Sequence, residues 1–363
     1  MTALARIGTK HRPEPPRQDA PSPAVRAVRV ETRTERITVG RVTYRPAVEV
    51  KISDLADAIR SIEPEAFAAQ MPFYATKPAY PALLWLLSKG GINPVDAAAY
   101  TTQLAYGCLA ILLFCWLVLF VRPLLAGALT LAILANPAPV AMVTSLTPDA
   151  LSACVVVLAF YLMSRRRVGA ALATAVVGIL IRPDTFLLVL LMAGWAALHG
   201  GRLAAAGAVI SGAAVFLAIS MWAGAYPWTT FFYHSFVERL ADPAGFVSPL
   251  SLGDYAAIYL QMAALTLQHN FAFVGFLVLA LSGLLARYQR AGWRDPYFAA
   301  LAFCALYAVG FWIVMPWAED RYLAPYYIVI LVALVRNLAE AFAARGQEPG
   351  DLAKAAPGRA DGR

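Results

Sequence analysis

The sequence predicts an all-α fold, a polytopic transmembrane helical bundle of about nine spans with interfacial helices in its outer loops. Three observations carry that prediction. Of the 363 residues, 60% are hydrophobic and only 14% charged, with a mean hydropathy of +0.62. Ordinary soluble domains run near about 45–50% apolar and about 25% charged. The apolar residues fall in successive runs from Tyr100 onward. The charges avoid those runs: residues 1–60 hold 12 Lys+Arg and 7 Asp+Glu, whereas residues 100–342 hold 12 and 9. So much apolar surface has no place in a water-soluble core, which excludes a soluble enzyme. The net charge of +8 belongs partly to a basic N-terminal arm and partly to loop arginines that set orientation in a bilayer. Nucleic acid is therefore not an expected partner.

Taken in order, residues 1–52 are rich in Arg, Pro and Thr without an apolar period, which predicts a basic, disordered arm. They lack the 7–15-residue apolar core of a signal peptide. Residues 53–98 read as outer-loop and interfacial helices. Within them, 53–70 have an amphipathic pattern, and 79–88 (AYPALLWLLS) are apolar but too short to cross a bilayer. The membrane domain runs over 99–342, with expected spans at 100–120, 124–142, 150–163, 168–181, 185–198, 203–224, 271–286, 297–315 and 322–335. Several are only 14 residues, roughly 21 Å of helix, against a hydrocarbon core of about 30 Å. Residues 254–267 predict an interfacial helix with Tyr255 and Tyr259 on one face, and 343–363 a disordered tail.

Residues 168–198 read either as one helix with an arginine near mid-membrane or as a hairpin turning at Arg182-Pro183-Asp184. The hairpin puts Arg122, Arg165–Arg167, Arg202, Arg287, Arg290, Arg294 and Arg336 on one side. The positive-inside rule selects that arrangement and makes that side, with the C-terminus, cytoplasmic. The loops at 143–149, 182–184, 225–270 and 316–321 then face outward. This topology also leaves residues 1–98 outside with no span to carry them there. Either one more crossing or a different native start is expected.

Polar residues near a bilayer are costly and therefore informative. The outward side collects SLTPDAL at 145–151, IRPDTF at 181–186, AYPWTTFFYHSF at 225–236 and PWAEDRYLAPYY at 316–327. Thr147, Pro148 and Asp149 read as N-cap, N1 and N2 of a helix, where a carboxylate also meets the helix dipole. Arg182 next to Asp184, and Arg321 next to Glu319 and Asp320, read equally as anchoring ion pairs, and Lys77 as an interfacial anchor. Cys108, Cys115, Cys154 and Cys304 all lie in apolar runs without a CxxC or Cys/His pattern, so they are expected to pack rather than react. His234 and His269 have no partner at ligand spacing, and no metal is expected.

Together these pieces resemble the GT-C membrane glycosyltransferases, the superfamily of protein O-mannosyltransferases and lipid A aminoarabinose transferases. The resemblance runs over 71–335. FYATKPAYPALLWLLSKGGINP looks like the segment after their first outer loop, TPDALSA like the start of an inner span. RPD looks like a helix break, and EDRYLAP like the acidic-Arg-Tyr motif before the last spans. It implies a GT-C-like fold in a bacterial inner membrane. It also implies transfer of a sugar from a polyprenyl-phosphate-linked donor to a glycan, lipid or protein acceptor on the outer face.

That chemistry needs a carboxylate base for the acceptor hydroxyl and cations for the departing phosphate. On this resemblance the base is an acid in the first outer loop, for which Asp54 and then Asp57 are the candidates. Arg321 is the expected phosphate ligand, Arg182 the second cation and Lys77 a third. Glu319, Asp320, Tyr322 and Asp149 are expected around the substrate. A divalent cation is compatible with such chemistry, but no ligand spacing points to one, and no cofactor is expected. The chain lacks the family's first span and a clear acidic motif. Two other readings therefore stand beside transfer: a carrier or flippase for a lipid-linked sugar or other solute, and a non-catalytic GT-C-like scaffold. One-sided polar residues and the lack of an internal repeat favour interfacial chemistry over alternating access.

Overall fold

The computed structural model describes residues 37–39, 42–44, 71–238, 240, 243–288, 292–316 and 320–346. Within the arm expected to lack structure, Ile37–Val39 (β1) and Val42–Tyr44 (β2) pair antiparallel, Ile37 opposite Tyr44. Their Ile, Val and Thr residues favour extended backbone. Everything else regular among the described residues is helical.

Helix α1 (Ala79–Lys89) is the short apolar segment anticipated at 79–88. It stops at Gly90 and Gly91, the latter at φ 88°, where a side chain would be strained. Helix α2 (Pro94–Leu117) begins where the Asn93 side chain accepts a hydrogen bond from the Val95 N–H at 2.9 Å. Pro94 at its first position has no N–H to leave unsatisfied.

The span expected at 124–142 is broken. Helices α3 (Pro123–Leu134) and α4 (Pro137–Thr144) meet at 67°. The cause is local: Asn136 caps Ala138, and Pro137 donates no hydrogen bond that could continue α3.

Helices α5 (Asp149–Ser164), α6 (Val168–Ile181), α7 (Thr185–Leu198) and α8 (Arg202–Trp222) follow. The hairpin reading of 168–198 holds. Helices α6 and α7 pack on each other and on α8, and Gly169 at the start of α6 shares a cavity with Ala204 at the start of α8. The outer loop folds into α9 (Trp228–Phe236) and α10 (Leu252–His269), the latter containing the helix anticipated at 254–267. Phe232, Ile258 and Met262 form a small separate core there, flanked by Tyr255 and Tyr259. Trp228 Nε1 donates to the Val314 carbonyl at 3.0 Å, tying the loop to the bundle.

Helices α11 (Phe271–Tyr288), α12 (Pro296–Val314) and α13 (Asp320–Gly346) complete the bundle. Helix α13 outruns the expected 322–335 because alanines and other good helix formers continue past Arg336.

Helices α2, α8, α12 and α13 are long and apolar enough to cross a membrane. The bent pairs α3–α4 and α10–α11, the latter at 83°, raise the number to six if each is one span. Several apolar helices of this kind mark a multi-pass membrane protein. Helices α5, α6 and α7 are apolar but only 16, 14 and 14 residues long.

The core is one cluster through the bundle, with Trp116, Phe160, Tyr307 and Tyr326 among its largest buried side chains. Because α5 runs from Asp149 to Ser164 and α6 returns to Ile181, Asp149 and Arg182 share one end of the bundle. Arg165, Arg287, Arg294 and Arg336 share the other.

The α6–α7 turn is packed closely enough to require a glycine. A Cβ at Gly178 would lie 2.8 Å from Thr185 Cγ2 and 3.5 Å from Val155 Cγ1, and Thr185 is itself buried. Gly178→Val should therefore push the start of α7 outward and destabilise the protein by about 1–3 kcal/mol. A lowered unfolding midpoint in detergent checks this, and an unchanged midpoint refutes the close packing.

Candidate functional site

Five segments distant in sequence converge at the Arg182 end: the stretch before α1, the starts of α5 and α7, the interior of α12 and the start of α13. Arg182 ends α6 in extended backbone (φ −147°, ψ 116°), which turns its side chain back among the helices. Its guanidinium is used on both edges. Nε and Nη2 donate to the two oxygens of Asp184 at 3.1 and 2.9 Å, and Nη1 donates to Asp149 Oδ1 at 2.9 Å. The planar fork suits such paired contacts. Arg182 is 6% exposed and Asp149 3%.

Asp149 is held from its other side as well. The Thr147 hydroxyl donates to its Oδ2 at 2.7 Å, and Arg321 Nε approaches the same oxygen at 3.8 Å. This corrects the capping expectation. Pro148, not Thr147, precedes the first turn of α5, and no side chain caps it. Thr147 instead directs its hydroxyl at Asp149, so the carboxylate bridges two arginines.

Asp184 is also bonded by the Tyr307 hydroxyl, and the Tyr307 ring stacks on Tyr326 with centroids 3.9 Å apart. The Tyr322 ring collects both cations: the Arg182 and Arg321 guanidinium carbons lie 4.5 and 4.8 Å from its centroid. Its hydroxyl accepts from Arg321 Nη2 at 3.0 Å. Asp320 accepts from the Tyr327 hydroxyl at 3.1 Å.

Lys77 lies in the loop before α1, half-buried, within electrostatic reach of Arg182, Asp149, Asp184 and Arg321. Burial, and then the Arg182 charge, push its ammonium below the ordinary lysine value, against the opposing pull of Asp149 and Asp184. Tyr80 on α1 and Thr101 and Thr102 on α2 are buried, and the Tyr80 and Thr102 hydroxyls interact.

The structure thus brings together Lys77, Asp149, Arg182, Arg321 and Tyr322, five of the residues expected around a substrate, with Asp320 at the rim. Asp54, Asp57 and Glu319 lie outside the described residues. Sequence reasoning used Asp184 only as a partner for Arg182, and missed Tyr307, Tyr326, Tyr80, Thr101 and Thr102. The three tyrosines sit in apolar runs where a hydroxyl leaves no spacing signal. Among the described residues, no group of three or more His, Cys, Asp or Glu side chains is placed to hold a metal ion. His234 is instead stacked on Phe73 at 4.6 Å.

Chemically, the cluster is a fixed cation–carboxylate lattice with tyrosines for walls. Arg182 is consumed by two carboxylates, so it orders the site rather than waiting for an anion. Arg321 Nε lies 3.8 Å from the Asp149 carboxylate, and Lys77 stands within electrostatic reach of the same group. The class defined by fold and site is a multi-pass helical membrane protein with a buried ionic cluster at one end of its bundle. Set against known proteins, the chain matches no family model, no curated protein and no solved structure.

Removing one member of a buried pair leaves the other charge uncompensated, which costs about 3–5 kcal/mol. Asp149→Ala and Arg182→Ala should each destabilise on that scale. The double variant should lose clearly less than the sum, because each single change already breaks the shared contact. Chemical unfolding of the four proteins measures this, and additive losses would show that the pair does not act as a unit.

Proposed function

We propose that this protein is a GT-C-like membrane glycosyltransferase that moves a sugar from a polyprenyl-phosphate carrier to an acceptor at the outer face of a bacterial inner membrane. The observation that carries this reading is the Asp149 bridge. A fully buried carboxylate there ties Arg182 to Arg321, beside Lys77, at the end of the bundle opposite the loop arginines. In this reading α5, α6 and α7 count as spans, giving about nine, and the arginine-rich end with the C-terminus is cytoplasmic.

Arg321 and Lys77 hold the carrier phosphate, and Arg182 holds Asp149 and Asp184 so that Arg321 is presented at a fixed angle. A carboxylate base, Asp54 or Asp57, takes the proton of the acceptor hydroxyl. The freed oxygen bonds to the anomeric carbon as the bond from that carbon to phosphate breaks. The phosphate leaves with its charge matched by Arg321 and Lys77. Asp320 and Tyr322 line the entrance.

A carrier or flippase is less well supported, because the ionic clusters sit at the two ends of the bundle rather than at mid-depth. A scaffold without catalysis is the outcome if the purified protein transfers no sugar from a lipid-linked donor.

Envelope glycans and polyprenyl-linked sugars compared by mass spectrometry, with and without the gene, test the proposal. Loss of one sugar with accumulation of its lipid-linked donor is expected; unchanged glycans and carriers overturn it. In a transfer assay, Arg321→Ala should lower turnover about 10²–10³-fold with insertion intact. Arg321→Lys should recover only part, since an ammonium cannot reproduce the guanidinium fork. Asp54→Asn should abolish turnover, and a fully active variant removes it as the base.

The depressed Lys77 ammonium sets a pH dependence. Its charge is lost as pH rises, beginning below the ordinary lysine value of about 10.4. Donor affinity should therefore fall on the alkaline side, and Lys77→Arg should move that fall to higher pH. Coincident pH profiles of KM would remove Lys77 from donor binding.

A further inference from the structure

At the opposite end of the bundle a cavity of about 510 Å³ is lined by arginines from three separate segments: Arg165 and Arg166 after α5, Arg294 before α12, and Arg336 on α13. That volume falls within the roughly 300–1,000 Å³ of small-molecule sites. The lining carries one carboxylate, Asp295, and it is already committed. One oxygen accepts from the Tyr297 N–H at 2.7 Å, and the carboxylate pairs with Arg287 and, at 3.5 Å, with Arg336. Arg336 is further held by Glu340 at 2.8 Å and lies over the Tyr297 ring at 3.9 Å. Arg165, Arg166 and Arg294 are exposed, and none of them makes an ion pair with a described residue. The cavity therefore keeps a clear excess of positive charge.

Backbone geometry adds a second indication. After α5 the chain closes with the Arg166 N–H on the Met163 carbonyl at 2.9 Å and the Arg167 N–H on the Leu162 carbonyl at 2.9 Å. This closure puts its central residue in the left-handed region, the position where glycine is favoured. Arg166 occupies it at φ 58°, the only such non-glycine residue among those described. A strained arginine at the cavity lip is the kind of outlier that accompanies a functional constraint. The third indication is the apolar flank. Leu119 and Phe120, just beyond α2, line the same cavity beside the cations. Trp293, half exposed, neighbours Arg294 and adds an aromatic ring of the kind enriched at membrane interfaces.

We propose that this cavity seats the phosphate headgroup of an anionic phospholipid from the surrounding leaflet, with Leu119 and Phe120 against its first acyl carbons. Guanidinium groups that converge on one cavity can bind phosphate by the bidentate geometry that Arg182 uses for Asp184. The inference is independent of glycosyl transfer. A free phosphate offers the same charge but would leave the apolar flank unused.

The test uses the full chain, purified in detergent and titrated with phosphatidylglycerol or phosphatidylcholine, with retained lipid read by native mass spectrometry. Preferential retention of phosphatidylglycerol is expected, falling about 5-fold for each arginine removed in Arg165→Gln and Arg294→Gln. Arg165→Lys keeps the charge but not the guanidinium fork, so retention should fall by less than in Arg165→Gln. Arg202→Gln removes the same charge from the same end but outside the cavity, and retention should not change. Equal loss in Arg202→Gln would mean diffuse attraction and overturn the site, as would equal retention of the two lipids. Full displacement by inorganic phosphate, with no lipid preference, would assign the cavity to a soluble anion and overturn the lipid. Insertion of each variant is followed by its elution as a single folded species. Arg294→Gln carries the test if Arg165→Gln does not fold.

Discussion

The buried guanidinium of Arg182 constrains most of the architecture around it. A charge taken from water into an apolar bundle is tolerated only when fully paired and hydrogen-bonded. Arg182 meets that condition with six polar atoms in play: its own three donor nitrogens and three carboxylate oxygens of Asp149 and Asp184. Satisfying it fixes the start of α5, the turn between α6 and α7, and, through the Tyr307 hydroxyl, the register of α12. Arg321 completes the same requirement for Asp149 and thereby locates α13. One ionic group therefore aligns four elements that apolar packing alone would leave free to slide.

How much of this is written in the sequence follows from the kind of signal each feature leaves. The helical class is legible because composition and run length report it directly. The turn at 182–184 is legible because Pro183 and two charges interrupt an apolar run, and the side of the arginines decides between one helix and two. The break at 136 leaves a visible Asn-Pro dipeptide, yet the apolar run continues through it, and hydropathy outweighs the local stop. Thr147 misleads because threonine before Pro-Asp is the common capping pattern. Here its hydroxyl finds a stronger acceptor in the Asp149 carboxylate, and backbone capping loses. Tyr307 and Tyr326 are illegible because a tyrosine in a span is indistinguishable from a packing aromatic until its hydroxyl has a partner. Asp149, Arg182 and Arg321 were legible only as three motifs; their mutual contact is tertiary and has no sequence period.

The two ends of the bundle use arginine differently. At the Arg182 end the cations are matched by carboxylates, and tyrosine rings face the guanidinium planes. At the Arg165 end Arg287 and Arg336 are matched by Asp295 and Glu340, while Arg165, Arg166 and Arg294 are not. A bundle that only needed positive charge for orientation would gain it from solvated loop arginines anywhere on that side. Converging three segments on one cavity, with an arginine held left-handed at its lip, is a more expensive arrangement than orientation requires.

Helix length connects the outer cluster to the bilayer. Helices α5, α6 and α7, at 16, 14 and 14 residues, reach roughly 24, 21 and 21 Å, short of a hydrocarbon core of about 30 Å. Asp149, Arg182 and Asp184 sit at the shared end of these three helices. Either the bilayer thins there or those charges lie several ångströms below its polar surface. In the proposed transfer reading, where these three helices are spans, a lipid-borne phosphate would reach Arg321 and Lys77 without leaving its membrane. In the recessed case full pairing becomes obligatory, since unpaired charges at that depth would draw in water. Short helices and an Arg182 paired on both edges are therefore one solution to one problem: keeping charge ordered by carboxylates in a low-dielectric pocket.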